Sequence, residues 1–530
     1  MEIIRLPFDQ VPQLSSRDKA YANQDPKLRP FFKYPVSLDA FEQVIADKST
    51  ATIDRALLVE VLQKQYASLA SSPLTQQNIE ALQDERTFTV VTAHQPSLFT
   101  GPLYYIYKIC STIHLAKALK EHYPSYQFVP VFITGGEDHD FEEVNHMHLF
   151  GKTVQWENNE SGAVAMMQAQ SLRPALAELK DILGTSENAQ EIYHTLEKAY
   201  TSHETYGPCT IDYVNALFKE DGLVVIDMND RQLKRAFIPY IKKEIFEQPS
   251  QSLVEQTTAE LEAAGFSGQA FPREINFFYL QDQSRERIVE EEGQFKVLNT
   301  TLSFTKEGLE AEIEAHPERF SPNVVMRPLY QEVILPNLAY IGGGGELAYW
   351  LERQRQFEHF EVNFPMLIRR NSVLWIDKGN AKRMDKLNLE LGELFEEVEG
   401  LIKQYVKQNT DNEISLKQEK KDIKLILDRV QQKAEEVDPT LIKATKAEIA
   451  KLMNSLSNLE NKLMRAEKQR HDIAINQIRT LNEKLFPGGG LQERYDNFLG
   501  LYLKYGDAFF ETLKQALNPL EKGFIVIIDR

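Results

Sequence analysis

The sequence predicts an α/β protein: a doubly wound, mostly parallel sheet carrying insertions, followed by an α-helical antiparallel coiled-coil arm. Three observations predict it. The apolar runs Thr87 to Ala93 and Phe128 to Thr134 flank a helical segment, giving strand, helix and strand in about 48 residues, the span of a βαβ unit with a right-handed crossover. Strand-like runs recur further on at Leu223 to Asp227, Val324 to Pro328 and Met366 to Asp377, with helical stretches between them. From Lys378 to about Phe486 the chain turns rich in Lys, Glu, Gln and Leu and acquires a seven-residue apolar repeat.

In chain order, a Pro-punctuated opening leads to helical spacing over Asp39 to Leu69, and then to the strand ending at Ala93. Gly101 and Pro102 sit where a helix begins, with Pro102 at its first position, and Ile106, Ile109, Ile113 and Ala116 form the buried face to about Glu121. Phe271 to Tyr279 and Phe295 to Leu302 read as strands of a satellite element, and Leu338 to Ile341 as a strand before four glycines. In the arm, a helix carrying Ile423, Ile426, Val430, Ala434 and Val437 ends at Asp438-Pro439, where Asp438 can cap and Pro439 can start the next helix. That next helix repeats as Ile449, Leu452, Leu456, Leu459, Leu463, Ala466, Arg470 and Ile473, before a stutter to Ala474, Ile478, Leu481 and Leu485. So tight a turn implies antiparallel packing; the arm either braces the fold or makes a homodimer. The domains expected are 1–380 as core, 381–490 as arm and 491–530 as a segment whose strand-like run Phe524 to Asp529 rejoins the core.

At 530 residues with 42% apolar residues the chain is folded and exceeds a single core. A net charge of −18 weighs against nucleic acid or anionic membrane surfaces as partners. Two cysteines, Cys110 and Cys209, are too few for a disulfide framework, and no window approaches 18 apolar residues, so a cytoplasmic protein without a membrane span is expected.

Chemistry is expected at strand ends. Thr134-Gly135-Gly136-Glu137-Asp138-His139-Asp140-Phe141-Glu142-Glu143-Val144-Asn145-His146 releases five carboxylates and two imidazoles after a buried run, as at the crevice where open α/β sheets bind ligands. The neighbouring strand end offers His94 and Gln95 and, after Gly101, a helix N-terminus suited to anions. Gly342, Gly343, Gly344 and Gly345 let backbone approach a ligand closely, and Glu346 and Tyr349 follow them. Arg327 and the pair Arg369-Arg370, read as strand residues, are the expected partners of a substrate carboxylate. His139, His146 and His148 with their carboxylate neighbours contain zinc-ligating types, but their spacing fits no ligand signature, so no metal site is predicted.

The segments TAHQPSLFTGPLYYIYK, VPVFITGGEDHDFEEVNH and FSPNVVMRPLYQEVILPNLAYIGGGGELAYW, with the late arm, closely resemble the bacillithiol biosynthesis cysteine-adding enzymes over essentially the whole chain. The resemblance implies a Rossmann-like, nucleotidyltransferase-like core, a dimerising arm, and the last step of bacillithiol assembly, in which L-cysteine joins the amino group of glucosaminyl malate. It implies ATP or another nucleotide as a possible co-substrate. His94, Gln95 and Gly101, with Lys108 on the following helix, would form the nucleotide side of the pocket. Glu137, Asp138, His139, Asp140 and Asn145 would form the opposite wall, and the glycine run with Glu346 and Tyr349 would close it. The synthetase His-x-Gly-His tetrad is not present as such, and no Lys-Met-Ser-Lys-Ser loop occurs. Within this reading His139 or Asp138 is the expected base, with His94 as the third catalytic candidate. A metal-dependent hydrolase of a small amide or sugar is the alternative.

Overall fold

In the computed structural model, which describes residues 1–410 and 415–530, Thr87–His94 (β1) forms the middle of a five-stranded parallel sheet. Gln127–Thr134 (β2) and Val224–Asp227 (β3) extend it on one side, and Asn337–Gly342 (β4) and Met366–Arg369 (β5) on the other, in the order β5-β4-β1-β2-β3. The chain therefore reverses its direction of winding between β1 and β4, which creates a topological switch point. Pairing aligns His94 with Thr134, Thr134 with Asp227 and Gly342 with Arg369, so the strands end on one rim.

β1 is buried on both faces, and its alternation sends Val90 to one apolar layer and Val91 to the other. Each such side chain stabilises the fold by roughly 1.5–3 kcal/mol. Tyr104–His122 (α1) joins β1 to β2, and its Ile106, Ile109 and Ile113 enter a third apolar cluster. Cys110 and Cys209 are both buried and free.

Several elements depart from the sequence expectation. Asp39 to Leu69 is two helices, Phe41–Lys48 and Arg55–Tyr66, because Asp54 accepts a bond from Leu57 N and starts a new one. Val324 to Pro328 is no strand: Asn323 Oδ1 accepts from Val325 N, and Pro328 follows in the first turn of the helix Arg327–Ile334 (α2). Met366 to Asp377 splits into β5 and a separate strand, Val373–Ile376. The break falls where Arg369 and Arg370 reach Asp18 and Glu493. Val373–Ile376 instead joins a three-stranded sheet with Glu2–Leu6 and the central strand Phe524–Ile528. The satellite element is a five-stranded antiparallel sheet, and Ser284–Glu291, unmarked in the sequence, is its middle strand.

The chain divides into two units, Met1–Trp375 with Leu491–Ile527, and Ile376–Gly490 with Ile528–Arg530. In the second unit, Lys417–Val437 turns at Asp438, whose carboxylate accepts from Thr440 N, into Ile442–Arg470. Lys420 Nζ lies 2.6 Å from Glu460, which fixes the two helices antiparallel. The helix ends at Arg470 and a new one begins at Asp472, so the heptad stutter is a break at His471 rather than a continuous coil. Among the described residues, no helix is long and apolar enough to cross a membrane.

A candidate active site at the carboxyl rim of the sheet

A cavity of about 700 Å³ opens at the rim, bordered by His94 from β1, Gly135 to His139 after β2, Asp227 at the end of β3 and Gly343 to Glu346 after β4. Four segments far apart in the chain thus border one cavity. None of the four consecutive glycines has a positive φ, and crowding accounts for Gly342 and Gly344 only, since a Cβ on Gly345 would meet open space. A Cβ on Gly344 would stand 2.4 Å from the Asp18 carboxyl carbon, and one on Gly342 would stand 3.0 Å from the Tyr340 ring.

Glu346 locks this turn. Its carboxylate accepts from Gly343 N, from Tyr340 Oη at 2.7 Å and from Lys108 Nζ at 2.8 Å to both oxygens. Burial would raise its pKa, but the Lys108 charge outweighs that and holds it down at about 2. Lys108 is fully buried and also donates to Ala93 O, so it ties β1 to the glycine turn and does not line the cavity.

The acidic segment is held from the satellite sheet. Arg285 lies over the Phe278 ring at 4.0 Å, donates to Asp138 at 3.3 Å, and places Nη1 2.8 Å from His139 Nδ1. A guanidinium only donates, so Nδ1 accepts and the proton of this imidazole sits on Nε2. Asp138 takes a second bond from Gln95 Nε2 at 2.7 Å, and Glu137 pairs with the buried Lys234 at 2.5 Å. Asp227, at the floor, accepts from Asn229 N, and burial together with the Glu137 charge raises its pKa.

Other predicted site residues fall elsewhere. Arg369 does not line this cavity: Asp18 takes it in a two-pronged pair at 2.6 and 2.8 Å, leaving no fork for a substrate. Asp140 is exposed and precedes the short helix Phe141–Val144, while Asn145 is buried against His146; neither borders the cavity. Gly101 has a φ of +59° and its carbonyl accepts from Asn497, so it shapes the loop behind His94. Arg327 does line the cavity, from the start of α2 rather than a strand, and donates to Tyr349 Oη. Burial would lower its pKa, but Tyr349, Tyr340 and Glu346 hold it charged.

Sequence reading missed Tyr104, Asp227, Arg285 and Arg494 as lining residues. Asp227 was legible as the last residue of a predicted strand. Arg285 carried no local signal, since its role depends on a sheet formed far from the rim in sequence. Arg370 is paired with Glu493 at 2.8 and 3.0 Å. Among the described residues, no group of three or more His, Cys, Asp or Glu side chains is arranged to hold a metal ion. His148, one of the ligand types in that alternative reading, stacks on Tyr495 instead.

Two family models together span nearly the whole chain. The model described as bacillithiol biosynthesis BshC, N-terminal Rossmann-like domain, matches residues 1–371, and that of the C-terminal coiled-coil domain matches residues 373–528. A protein of Flavobacterium johnsoniae named "Putative cysteine ligase BshC" is 42% identical over 96% of both chains. Proteins bearing the same name in Flavobacterium psychrophilum and Christiangramia forsetii are each 41% identical, over 96% of this chain and 96% and 95% of theirs.

Proposed function

The chain belongs to the bacillithiol biosynthesis BshC family, and from that premise we propose that it is a ligase joining the carboxyl of L-cysteine to the amino group of glucosaminyl malate, the last step of the pathway. One observation carries the reading: His94, His139 and the tetraglycine turn border a common cavity at the switch point of a parallel sheet.

An amide forms from a carboxylate only after the departing oxygen is made a good leaving group. A nucleotide supplies it in this proposal, as an acyl phosphate or adenylate of cysteine. The amine then attacks the acyl carbon, the activated oxygen leaves, and the amine proton passes to a base. His139 suits that role poorly, because Arg285 occupies the lone pair of Nδ1. His139 acts instead as an Nε2–H donor to the oxygen on which charge develops. Asp227 is the base: it lines the cavity, makes no ion pair within 4 Å among the described residues, and has a raised proton affinity. Asp138 positions His139 and Gln95. Arg327 is likewise without a carboxylate partner within that distance among the described residues, and it holds the malate carboxylates.

The arm makes a homodimer in this proposal. Leu425, Ile426 and Val430 on one helix and Leu452 and Leu459 on the other are each about half exposed, from 48% to 55%, an apolar surface suited to a second copy. The test of function is mass spectrometry after incubation with cysteine and glucosaminyl malate, with and without ATP. The amide product is expected only with the nucleotide, and no product under either condition would overturn the proposal.

A further inference from the structure

Three polar groups at the cavity wall are linked by hydrogen bonds of fixed direction. The carbonyl of Gln95 can only accept, and it lies 2.9 Å from His94 Nδ1, so Nδ1 carries a hydrogen. Burial and the neighbouring Lys108 charge lower the pKa of this imidazole to about 4, so at neutral pH its Nε2 is a bare lone pair. Tyr104 Oη stands 3.1 Å from that nitrogen and must be the donor. Its single hydrogen is thereby committed, and the phenolic oxygen has acceptor capacity alone left for the cavity that Tyr104 lines. The ring is also fixed in place: it is the first residue of α1, and the guanidinium groups of Arg370 and Arg494 lie 5.2 and 6.0 Å from its centre.

We propose that Tyr104 is a specificity-determining residue of this site, its oxygen accepting a hydrogen bond from an N–H or O–H of the bound amino sugar and selecting against ligands that present an acceptor there. A ligand lacking the donor leaves a desolvated oxygen unpaired, which is how polar sites reject near-identical compounds. The choice of amino sugar rests on the function proposed above; the direction of the hydrogen-bond chain does not.

Two measurements test it. In the ligand-free protein, ¹⁵N shifts of His94, assigned by their loss in His94→Gln, are expected to show a protonated Nδ1 and an unprotonated Nε2 at neutral pH. The opposite tautomer or an imidazolium would overturn the inference whatever the substrate. By calorimetry, Tyr104→Phe, which keeps the ring beside its two guanidiniums, is expected to bind glucosaminyl malate about tenfold more weakly than wild type. Among analogues each lacking one N–H or O–H donor, one is expected to lose about tenfold on wild type and less than twofold on Tyr104→Phe. Equal affinity of wild type and variant for glucosaminyl malate would overturn the inference. Failure of the wild type to bind it at all would instead remove the proposed function, and the tautomer measurement would then decide Tyr104 alone.

Discussion

Arg285 places a guanidinium nitrogen 2.8 Å from His139 Nδ1 across 146 residues of chain, so the histidine of the acidic segment faces the cavity as a donor. His139→Ala is expected to lower kcat by about 10²-fold, the scale of one lost oxyanion donor. His139→Gln, whose amide can still donate, retains more activity than Ala. In neither variant does the acid limb of the pH profile disappear, and its loss in His139→Gln would return the base role to His139.

Asp227→Asn removes the proposed base and is expected to lower kcat by about 10²- to 10⁴-fold. The carboxylate must be ionised to act, so wild-type kcat/KM falls as pH drops through its pKa. Because burial raises that pKa, the fall lies above the ordinary aspartate range. A profile flat through this region, or one unchanged in Asp227→Asn, would contradict the assignment.

Arg327→Lys keeps the charge and loses the fork. An expected loss of about 1.5–3 kcal/mol for a charge-assisted bond corresponds to a KM for the malate substrate raised roughly ten- to hundredfold, with the KM for cysteine little changed. Steady-state kinetics with each substrate varied in turn measures the split.

How much of this was legible in the sequence differs from element to element. The strand-helix-strand unit showed itself because continuous apolar runs and a 3.6-residue periodicity are local signals, and the glycine run because consecutive glycines need a reason. Arg327 was misplaced on a strand because the Asn323 side chain, accepting from Val325 N and Met326 N, turns the chain just ahead of the helix, which apolar patterning does not register. Arg369 looked free because its partner, Asp18, lies 351 residues away. Tyr104 was visible inside the helix predicted to begin at Pro102, but its polarity follows from the tautomer of His94, a property of three-dimensional neighbours.

Lys108→Met should destabilise the protein by about 3 kcal/mol, since it leaves the Glu346 carboxylate without its cation in a mostly buried turn. Glu346 has its pKa lowered on folding, to about 2, so its contribution is full above the unfolded value near 4.5 and is lost as pH falls from there toward 2. Thermal unfolding across that range is expected to show a smaller acid-induced drop in Tm for Lys108→Met than for wild type.

In the arm, Leu452→Glu with Leu459→Glu places charge on the exposed apolar face. Sedimentation is expected to show a dimer for wild type and a monomer for the double variant, with the helix content by circular dichroism kept. A wild type that sediments as a monomer would remove the dimer from the account.

The most direct measurement is a crystal structure of the protein with glucosaminyl malate bound. The ligand is predicted in the rim cavity, its carboxylates within hydrogen-bond distance of Arg327 and its amine near Asp227. A ligand bound elsewhere, with His94, His139 and the glycine turn untouched, would contradict the assignment of this cavity as the active site.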